Sequence, residues 1–176
     1  MSEVTITIFG TGKAQLGDTA YALAYTAGKV LAQAGFTIAN GGYGGTMLAA
    51  AKAASEAGGQ IIAVTCSAFK QAAANQYITR EIVTNSLDER LDTLIKLGQA
   101  YVVLPGGTGT LLELAKVWEL KNKGFLPPDK PIILVGRFWK PLLDLVTTED
   151  PDTARCIHQA DDPQQLPDIL TKCIHS

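Results

Sequence analysis

Residues 101–119, YVVLPGGTGTLLELAKVWE, decide the fold of this chain. The run begins with four apolar residues, YVVL, which predict a buried strand, and Pro105 ends that strand. A turn with three glycines follows: Gly106, Gly107 and Gly109. Thr110 can then cap a helix that continues to the end of the run. This order of strand, glycine turn and helix exposes backbone N–H groups beside a helix N-terminus, where a phosphate or another anion is favoured.

The same run puts Glu113 one turn inside the predicted helix, and two interpretations of this residue are open. In the first, Glu113 lies near the bound anion and takes part in the chemistry. In the second, residues 110–113 form a capping box, in which the glutamate side chain only closes the helix start. Spacing alone does not choose between them.

Two more predicted strands end in glycine turns. Residues 4–9 are rich in β-branched side chains and run into the first turn, and residues 36–39 run into a second turn of four glycines around Tyr43. In an open parallel sheet, ligands bind outside the carboxyl ends of the strands, so we expect the three turns to form one ligand site. The second turn is otherwise a flexible loop without a partner. The predicted ligand-binding residues are Gly10, Thr11, Gly12, Gly42, Gly44, Gly45, Thr46, Gly106, Gly107, Thr108, Gly109 and Thr110.

The first turn matches neither of two common nucleotide-binding motifs. It lacks a glycine three residues after Gly12, which a dinucleotide-binding fingerprint requires. It is not a P-loop either, because Ala14 follows Lys13 where a hydroxyl would be needed to hold magnesium. Lys13 is therefore interpreted as a solvated loop lysine.

A helix predicted from Ser86 to Leu97 carries one charge on its apolar face. Ser86 opens it with a second capping-box pattern, and its leucines and isoleucine form one stripe at helical spacing. Arg90 projects into this stripe. An arginine that points inward usually has an anionic partner, although its tip could instead reach solvent.

Composition and charge limit the class of protein. A length of 176 residues with 47% hydrophobic residues predicts one globular domain that spans residues 1–176. A net charge of −2 without a basic cluster argues against a nucleic-acid partner. The three cysteines, Cys66, Cys156 and Cys173, lie far apart without metal-ligand spacing, which predicts reduced thiols and no metal site. With no leader or membrane-spanning pattern in the sequence, we expect a cytoplasmic protein without a membrane partner.

The remaining segments alternate between strand and helix patterns. Strands are predicted at 60–65, 80–84, 131–135 and 155–160, helices at about 18–33, 46–57, 138–146 and 163–174, and an acidic loop at 148–152. The connection 66–76 has no clear period and is either a lid or a long link. The alternation predicts an α/β fold with a doubly wound parallel sheet and right-handed crossovers. His158 and His175 have no acidic or thiol neighbours in sequence and are interpreted as structural or surface residues.

Residues 105–113, PGGTGTLLE, match the PGGxGTxxE motif of the Lonely Guy family, the cytokinin-nucleotide phosphoribohydrolases formerly called lysine decarboxylases. The resemblance extends over nearly the whole chain. Phe9–Gly12 is similar to the first turn of the family, and Gly41–Met47 resembles its GGGxxGLMG turn. The family resemblance implies a modified Rossmann-like domain that hydrolyses the N-glycosidic bond of a nucleoside 5′-monophosphate, such as a cytokinin nucleotide or an AMP-like nucleotide. The products are the free base and ribose 5-phosphate, and neither a metal nor a cofactor is needed.

The resemblance also implies two catalytic residues. Glu113 corresponds to the glutamate of PGGxGTxxE, and Arg90 corresponds to the arginine of the family's MxxRK stretch. The chain differs at Leu87 and Leu91, where that stretch has methionine and lysine, and at Leu112, where many members have an acid. A carboxylate near the sugar would stabilise the positive charge of an oxocarbenium-like transition state, while the arginine would bind substrate and keep the glutamate ionised.

Two other functions remain open from the sequence. A molybdenum-cofactor carrier also resembles this family, so the protein could bind a nucleotide-like ligand without cleaving it. Related Rossmann-like proteins handle single-stranded DNA, but the acidic balance of this chain argues against that function. The resemblance further implies a homodimer, and the leucine-rich helix after the central turn, which has no broad polar face, favours the same prediction.

Overall fold

The alternating pattern produces one seven-stranded sheet in the computed structural model, which describes residues 4–70 and 73–174. The strands are β1 (Thr5–Phe9), β2 (Thr37–Asn40), β3 (Ile61–Cys66), β4 (Arg80–Thr84), β5 (Ala100–Val103), β6 (Ile132–Val135) and β7 (Ile157–Ala160). The helices are α1 (Thr19–Gln33), α2 (Thr46–Glu56), α3 (Leu87–Leu97), α4 (Thr108–Asn122), α5 (Lys140–Glu149) and α6 (Leu166–Ile174).

The strand order is β4-β3-β2-β1-β5-β6-β7, and every neighbouring pair is parallel. The predicted doubly wound sheet is confirmed. The order reverses between β1 and β5, so the turns that follow these two strands lie side by side at the switch point of the sheet. Two hydrogen bonds join them: the Thr11 N–H donates to the Pro105 carbonyl at 3.2 Å, and the Leu104 N–H donates to the Phe9 carbonyl at 2.8 Å.

Two apolar layers cover the sheet. Helices α1, α2 and α6 pack on one face, and α3 and α4 pack on the other. The small residues of α2 allow a very close approach to α1, since a Cβ atom at Gly28 would lie 2.3 Å from the Ala50 carbonyl oxygen. The five inner strands are buried and rich in β-branched residues, as expected for a parallel sheet covered on both sides, whereas the edge strands β4 and β7 are partly exposed.

The acidic loop expected at 148–152 is wrong. Helix α5 continues to Glu149, and a 3₁₀ helix, Pro151–Cys156, follows it. Asp150 separates the two because a residue before proline is disfavoured in the helical region, and its backbone has φ −131° and ψ 81°. Strand β7 is accordingly shorter than predicted. The terminal helix also begins later, because a 3₁₀ turn capped by Asp162 precedes α6.

Candidate active site

The start of α4 has no side-chain cap. Gly107 is the N-cap residue, and the Leu111 N–H donates to its carbonyl at 2.9 Å, so the helix begins before Thr110 rather than after it. The expected cap at Thr110 and the capping box at 110–113 are therefore wrong. Gly109 accepts the helical conformation, which moves the helix start forward and puts Glu113 in the second turn. The first N–H groups of α4 are left for another acceptor.

The first and second glycine turns pack directly against each other. Gly45 has φ +63°, and a Cβ atom there would lie 2.4 Å from the Thr11 carbonyl oxygen. The same oxygen accepts hydrogen bonds from the backbone N–H and the hydroxyl of Thr46, at 2.9 and 3.0 Å. Gly45 and Thr46 thus hold the two turns together, which requires glycine at the first of these positions.

A cleft of about 550 Å³ opens between these turns and the start of α4. Nine of the residues predicted from the sequence line it: Gly10, Thr11, Gly12, Arg90, Gly107, Thr108, Gly109, Thr110 and Glu113. The other five predicted ligand-binding residues, Gly42, Gly44, Gly45, Thr46 and Gly106, do not line the cleft. The contacts of Gly45 and Thr46 connect the turns, and Gly106 leaves space for the buried Thr110 side chain.

Several lining residues were not among the predicted site residues. They are Lys13, Tyr43, Met47, Phe69, Leu87, Leu91 and Leu112. Lys13 is exposed, as expected, but it borders the cleft next to the first turn. The signal in the sequence that could have identified Lys13 as a site residue is its position directly after the first glycine turn. Phe69 lies in the connection between β3 and β4, which has no periodicity from which to infer its position.

The Arg90 side chain is buried, with an exposed fraction of 8%. Its Nε–H donates to the Val64 carbonyl at 2.8 Å. Its guanidinium carbon lies 5.5 Å from the ring centroids of both Tyr43 and Phe69. A Cβ atom at Gly41 would lie 1.7 Å from the Arg90 Nη2 atom, so glycine is needed there for the guanidinium to fit.

Arg90 forms no ion pair with a carboxylate in the part of the chain that the structure describes. Among the described residues, no carboxylate oxygen lies within 4.0 Å of its guanidinium. Arg90 points inward, as the first alternative expected, but its neighbours are a carbonyl and two aromatic rings rather than a carboxylate. No buried, unpaired polar side-chain atom occurs in the described parts of the chain, so the remaining guanidinium N–H groups are accessible from the cleft.

Glu113 is partly buried in the same cleft. Burial raises the pKa of its carboxyl from 4.5 to about 7, although the positive charge of Arg90 acts in the opposite direction. Arg90 therefore lowers the pKa of Glu113, as expected, but it does not keep the carboxyl fully ionised at neutral pH, because the effect of desolvation on the pKa is larger. A carboxyl with this pKa exchanges protons readily near neutral pH.

Among the described residues, no group of three or more metal-ligating side chains comes together. In the same part of the chain, no helix has the length and apolar character needed to cross a membrane. All three cysteines are free. The Cys173 Sγ lies 3.8 Å from the His158 Nε2, and His158 is exposed, whereas His175 lies outside the described residues.

The family model described as a possible lysine decarboxylase matches residues 47–170. The chain belongs to this family. The matched range contains Arg90 and Glu113, while the first turn precedes it. The resemblance of the sequence to the Lonely Guy family is confirmed by curated relatives of that family.

Two of these relatives are named cytokinin riboside 5′-monophosphate phosphoribohydrolase. The protein from Mycobacterium tuberculosis is 35% identical over 116 residues, which are 64% of this chain and 60% of that protein. The protein from Rhodococcoides fascians is 28% identical over 147 residues, which are 81% of this chain and 73% of the relative. Among solved structures, a molybdenum cofactor binding protein from the phototrophic bacterium Rippkaea orientalis matches with a TM-score of 0.82 and 23% identity over 99% of each chain. At that identity, the match shows a shared fold.

Proposed function

We propose that this protein hydrolyses the N-glycosidic bond of a nucleoside 5′-monophosphate to the free base and ribose 5-phosphate. One observation supports this most strongly: an uncapped helix N-terminus, an unpaired arginine and a carboxyl with a pKa of about 7 border a single cleft. The names of the two curated relatives give the same reaction class. The proposed base is adenine or a cytokinin.

The 5′-phosphate would bind at the start of α4. The free N–H groups and the helix dipole favour an anion there, and Gly107 and Gly109 let its oxygens approach the backbone closely. Lys13 adds a positive charge beside the first turn. Among the lining residues, Lys13 and Arg90 are cationic and Glu113 is the one carboxyl, so the cleft attracts anions although the chain is acidic overall.

Glu113 would act on the sugar in its ionised form. As the bond from C1′ to the base nitrogen lengthens, positive charge develops on the ribose, and a carboxylate nearby stabilises it. A water oxygen then bonds to C1′, and the electron pair of the broken bond goes to the base. The carboxylate accepts one proton from that water and releases it to solvent, and the base takes up one proton from solvent, so Glu113 returns to its ionised form and the products balance the substrate plus one water molecule.

Arg90 would bind the substrate from the other side of the cleft. Its free guanidinium N–H groups are donors for ribose hydroxyls or for a phosphate oxygen. Its positive charge also keeps the Glu113 pKa from rising further, which maintains an ionised fraction at neutral pH.

The proposal is tested by incubating the purified protein with a panel of nucleoside 5′-monophosphates and separating the products by chromatography. We expect free base and ribose 5-phosphate from at least one of them. The matching unphosphorylated nucleosides are the control, and they should stay intact because they lack the group that binds the helix start. Intact nucleotides throughout the panel would refute the proposal.

A carrier that binds such a ligand without cleaving it is the second candidate. It is favoured by the full-length match to the molybdenum cofactor binding protein and by the leucines that replace charged family residues beside the site. In the same experiment, a carrier would retain one intact phosphorylated ligand at stoichiometric amounts. A phosphorylated pterin added to the panel distinguishes that cargo from a nucleotide.

We also propose a cytoplasmic homodimer. Three leucines of α3 and α4 remain strongly exposed, Leu87, Leu111 and Leu112, and two of them border the cleft. A second copy that covers this face would remove apolar surface from water and enclose the site. Light scattering at micromolar concentration should give twice the chain mass, and Leu111→Glu should give the monomer mass. A monomer in both cases would contradict the proposal.

A further inference from the structure

The end of β3 organises the surroundings of Arg90. The Val64 carbonyl accepts from the Arg90 Nε–H, and two residues later Cys66 anchors two aromatic residues. The Tyr43 hydroxyl accepts from the Cys66 N–H at 2.8 Å and donates to the Cys66 carbonyl at 3.4 Å. The Phe69 N–H donates to the same carbonyl at 3.1 Å. The Tyr43 ring and the Phe69 backbone are therefore tied to the strand whose carbonyl holds the arginine.

The two rings lie side by side against the guanidinium, on the same side of it. Their centroids are 5.9 Å apart with a tilt of 45°, and each lies 5.5 Å from the guanidinium carbon of Arg90. The contact replaces the ion pair that a buried arginine usually makes. The second turn, which carries Tyr43, is itself held by Asn75, whose side-chain amide donates to the carbonyls of Gly42 and Tyr43 at 3.0 Å each.

We propose that Phe69 is a positioning residue that, together with Tyr43, holds the Arg90 guanidinium in the orientation in which its free N–H groups face the cleft. This inference rests on the proposed function only for its kinetic consequences. A single hydrogen bond through Nε does not fix a guanidinium, because a flexible side chain retains rotamer freedom about its other bonds. Phe69 supplies one of the two rings against which the guanidinium packs, and this contact limits that freedom.

The aromatic face, rather than apolar bulk, is the property that matters. Phe69→Leu keeps an apolar side chain but loses the ring, whereas Phe69→Tyr keeps the ring. Phe125→Leu is a matched control, because Phe125 is exposed and does not line the cleft. We expect Phe69→Leu to reduce kcat by about tenfold with a smaller change in KM, in line with a desolvated cation–π contact. Phe69→Tyr should restore most of the rate, and Phe125→Leu should match the wild type.

The pH profile adds a readout that a purely structural role would not change. Arg90 lowers the Glu113 pKa, so a displaced guanidinium should shift the midpoint of the kcat/KM profile to higher pH in Phe69→Leu alone. A wild-type rate and midpoint in Phe69→Leu would overturn the proposal. So would a loss of rate that Phe69→Tyr does not restore and that leaves the midpoint unchanged.

A measurement without substrate separates this proposal from the proposed function. The Arg90 Nε–H resonance, assigned by its absence in Arg90→Lys, should exchange slowly with water in the wild type and in Phe125→Leu. It should exchange at least tenfold faster in Phe69→Leu. If this occurs and no variant hydrolyses a nucleotide, the positioning role holds and the function fails. If hydrolysis occurs but the exchange rate and the pH midpoint do not change, the function holds and the positioning role fails.

Discussion

Arg90 and Lys121 are two cations that differ in how many of their hydrogen-bond donors are used within the protein. The Lys121 Nζ donates to the carbonyls of Pro127, Pro128 and Lys130 at 2.7–2.9 Å, which occupies all three donors of an ammonium group. Arg90 borders the cleft and uses one of its five donors in a hydrogen bond within the part of the protein that the structure describes. A cation whose donors are all used stabilises the fold, whereas a buried cation with free donors is available to a ligand.

The difference extends to the acidic residues. Glu113 and Glu119 lie on the same helix, but Glu119 is exposed and pairs with Lys123 at 3.6 Å, while the charge of Arg90 acts on Glu113 within the cleft. The position of each glutamate on the helix thus determines whether it forms a solvated ion pair, as Glu119 does, or has a raised pKa, as Glu113 does. Substitutions that change a charge of one class and leave the other class intact test this distinction between structural and functional charges.

The largest effect is expected for Glu113→Gln. The neutral amide cannot stabilise positive charge on the sugar, so turnover should fall by about a hundredfold or more with little change in nucleotide affinity. Glu119→Gln on the same helix is the control and should retain the wild-type rate. The helix start should be unaffected, because Glu113 does not cap it. Wild-type hydrolysis by Glu113→Gln would remove the carboxylate from the mechanism.

A smaller effect is expected for Gly41→Ala. The added methyl group would overlap the Arg90 Nη2 and the Met47 Sδ, at 1.7 and 2.6 Å, and both are ends of flexible side chains that can move. Thermal unfolding should therefore change little, while turnover falls by about tenfold because the guanidinium is displaced. Steady-state kinetics beside a melting curve measure both quantities. Normal turnover in this variant would mean that the position of Arg90 is unimportant.

The pH dependence follows from the raised pKa of Glu113. If its carboxylate form is active, kcat/KM should rise with pH and level off above about 7. For stability the sign is opposite. The folded state holds the Glu113 proton up to about pH 7 and the unfolded state releases it near 4.5, so the free energy of unfolding falls as pH rises between these values.

Denaturant titrations of wild type and Glu113→Gln at pH 5 and pH 8 measure this change. The variant should gain stability relative to the wild type by up to about 3 kcal/mol between the two pH values, since it has no charge to bury. A difference that does not depend on pH would show that the pKa of Glu113 is not raised.

The sequence was sufficient for the fold and for much of the cleft, for reasons of local chemistry. Buried β-branched strands that end in glycine turns predict a parallel sheet with a site at the carboxyl ends, and Gly10–Gly12 and Gly107–Thr110 indeed border one cleft. The start of α4 could not be predicted, because Thr110 fits a capping motif as well as it fits the first helical turn. Spacing does not reveal which of the two a glycine-rich segment adopts.

The aromatic neighbours of Arg90 depend on tertiary structure. Phe69 follows β3 by three residues in an irregular connection, and its contact with an arginine on α3 arises only when the strand end and the helix meet. Tyr43 was recognisable as part of a glycine turn, but not as a partner of Arg90. The pKa of Glu113 was equally inaccessible, because it depends on burial, which outweighs the attraction of Arg90.

The smallest effect on turnover is expected for Lys121→Met, which tests the structural half of the comparison. The apolar side chain can occupy similar space but leaves three carbonyls of residues 127–130 without their shared donor. The free energy of unfolding should fall by about 1 kcal/mol, because one partly buried and two exposed acceptors lose a charged donor. Turnover should stay at the wild-type level, since these contacts lie at the C-terminal end of α4 and Glu113 lies near its start.

Arg90→Met is the matched variant, and it should lose turnover while its stability changes little, because replacing an unpaired buried charge by an apolar group removes a desolvation cost. Denaturant titration and the nucleotide assay, applied to both variants, measure the four values. If Lys121→Met loses turnover, or if Arg90→Met loses stability without losing turnover, the number of free donors does not distinguish a functional cation from a structural one in this protein.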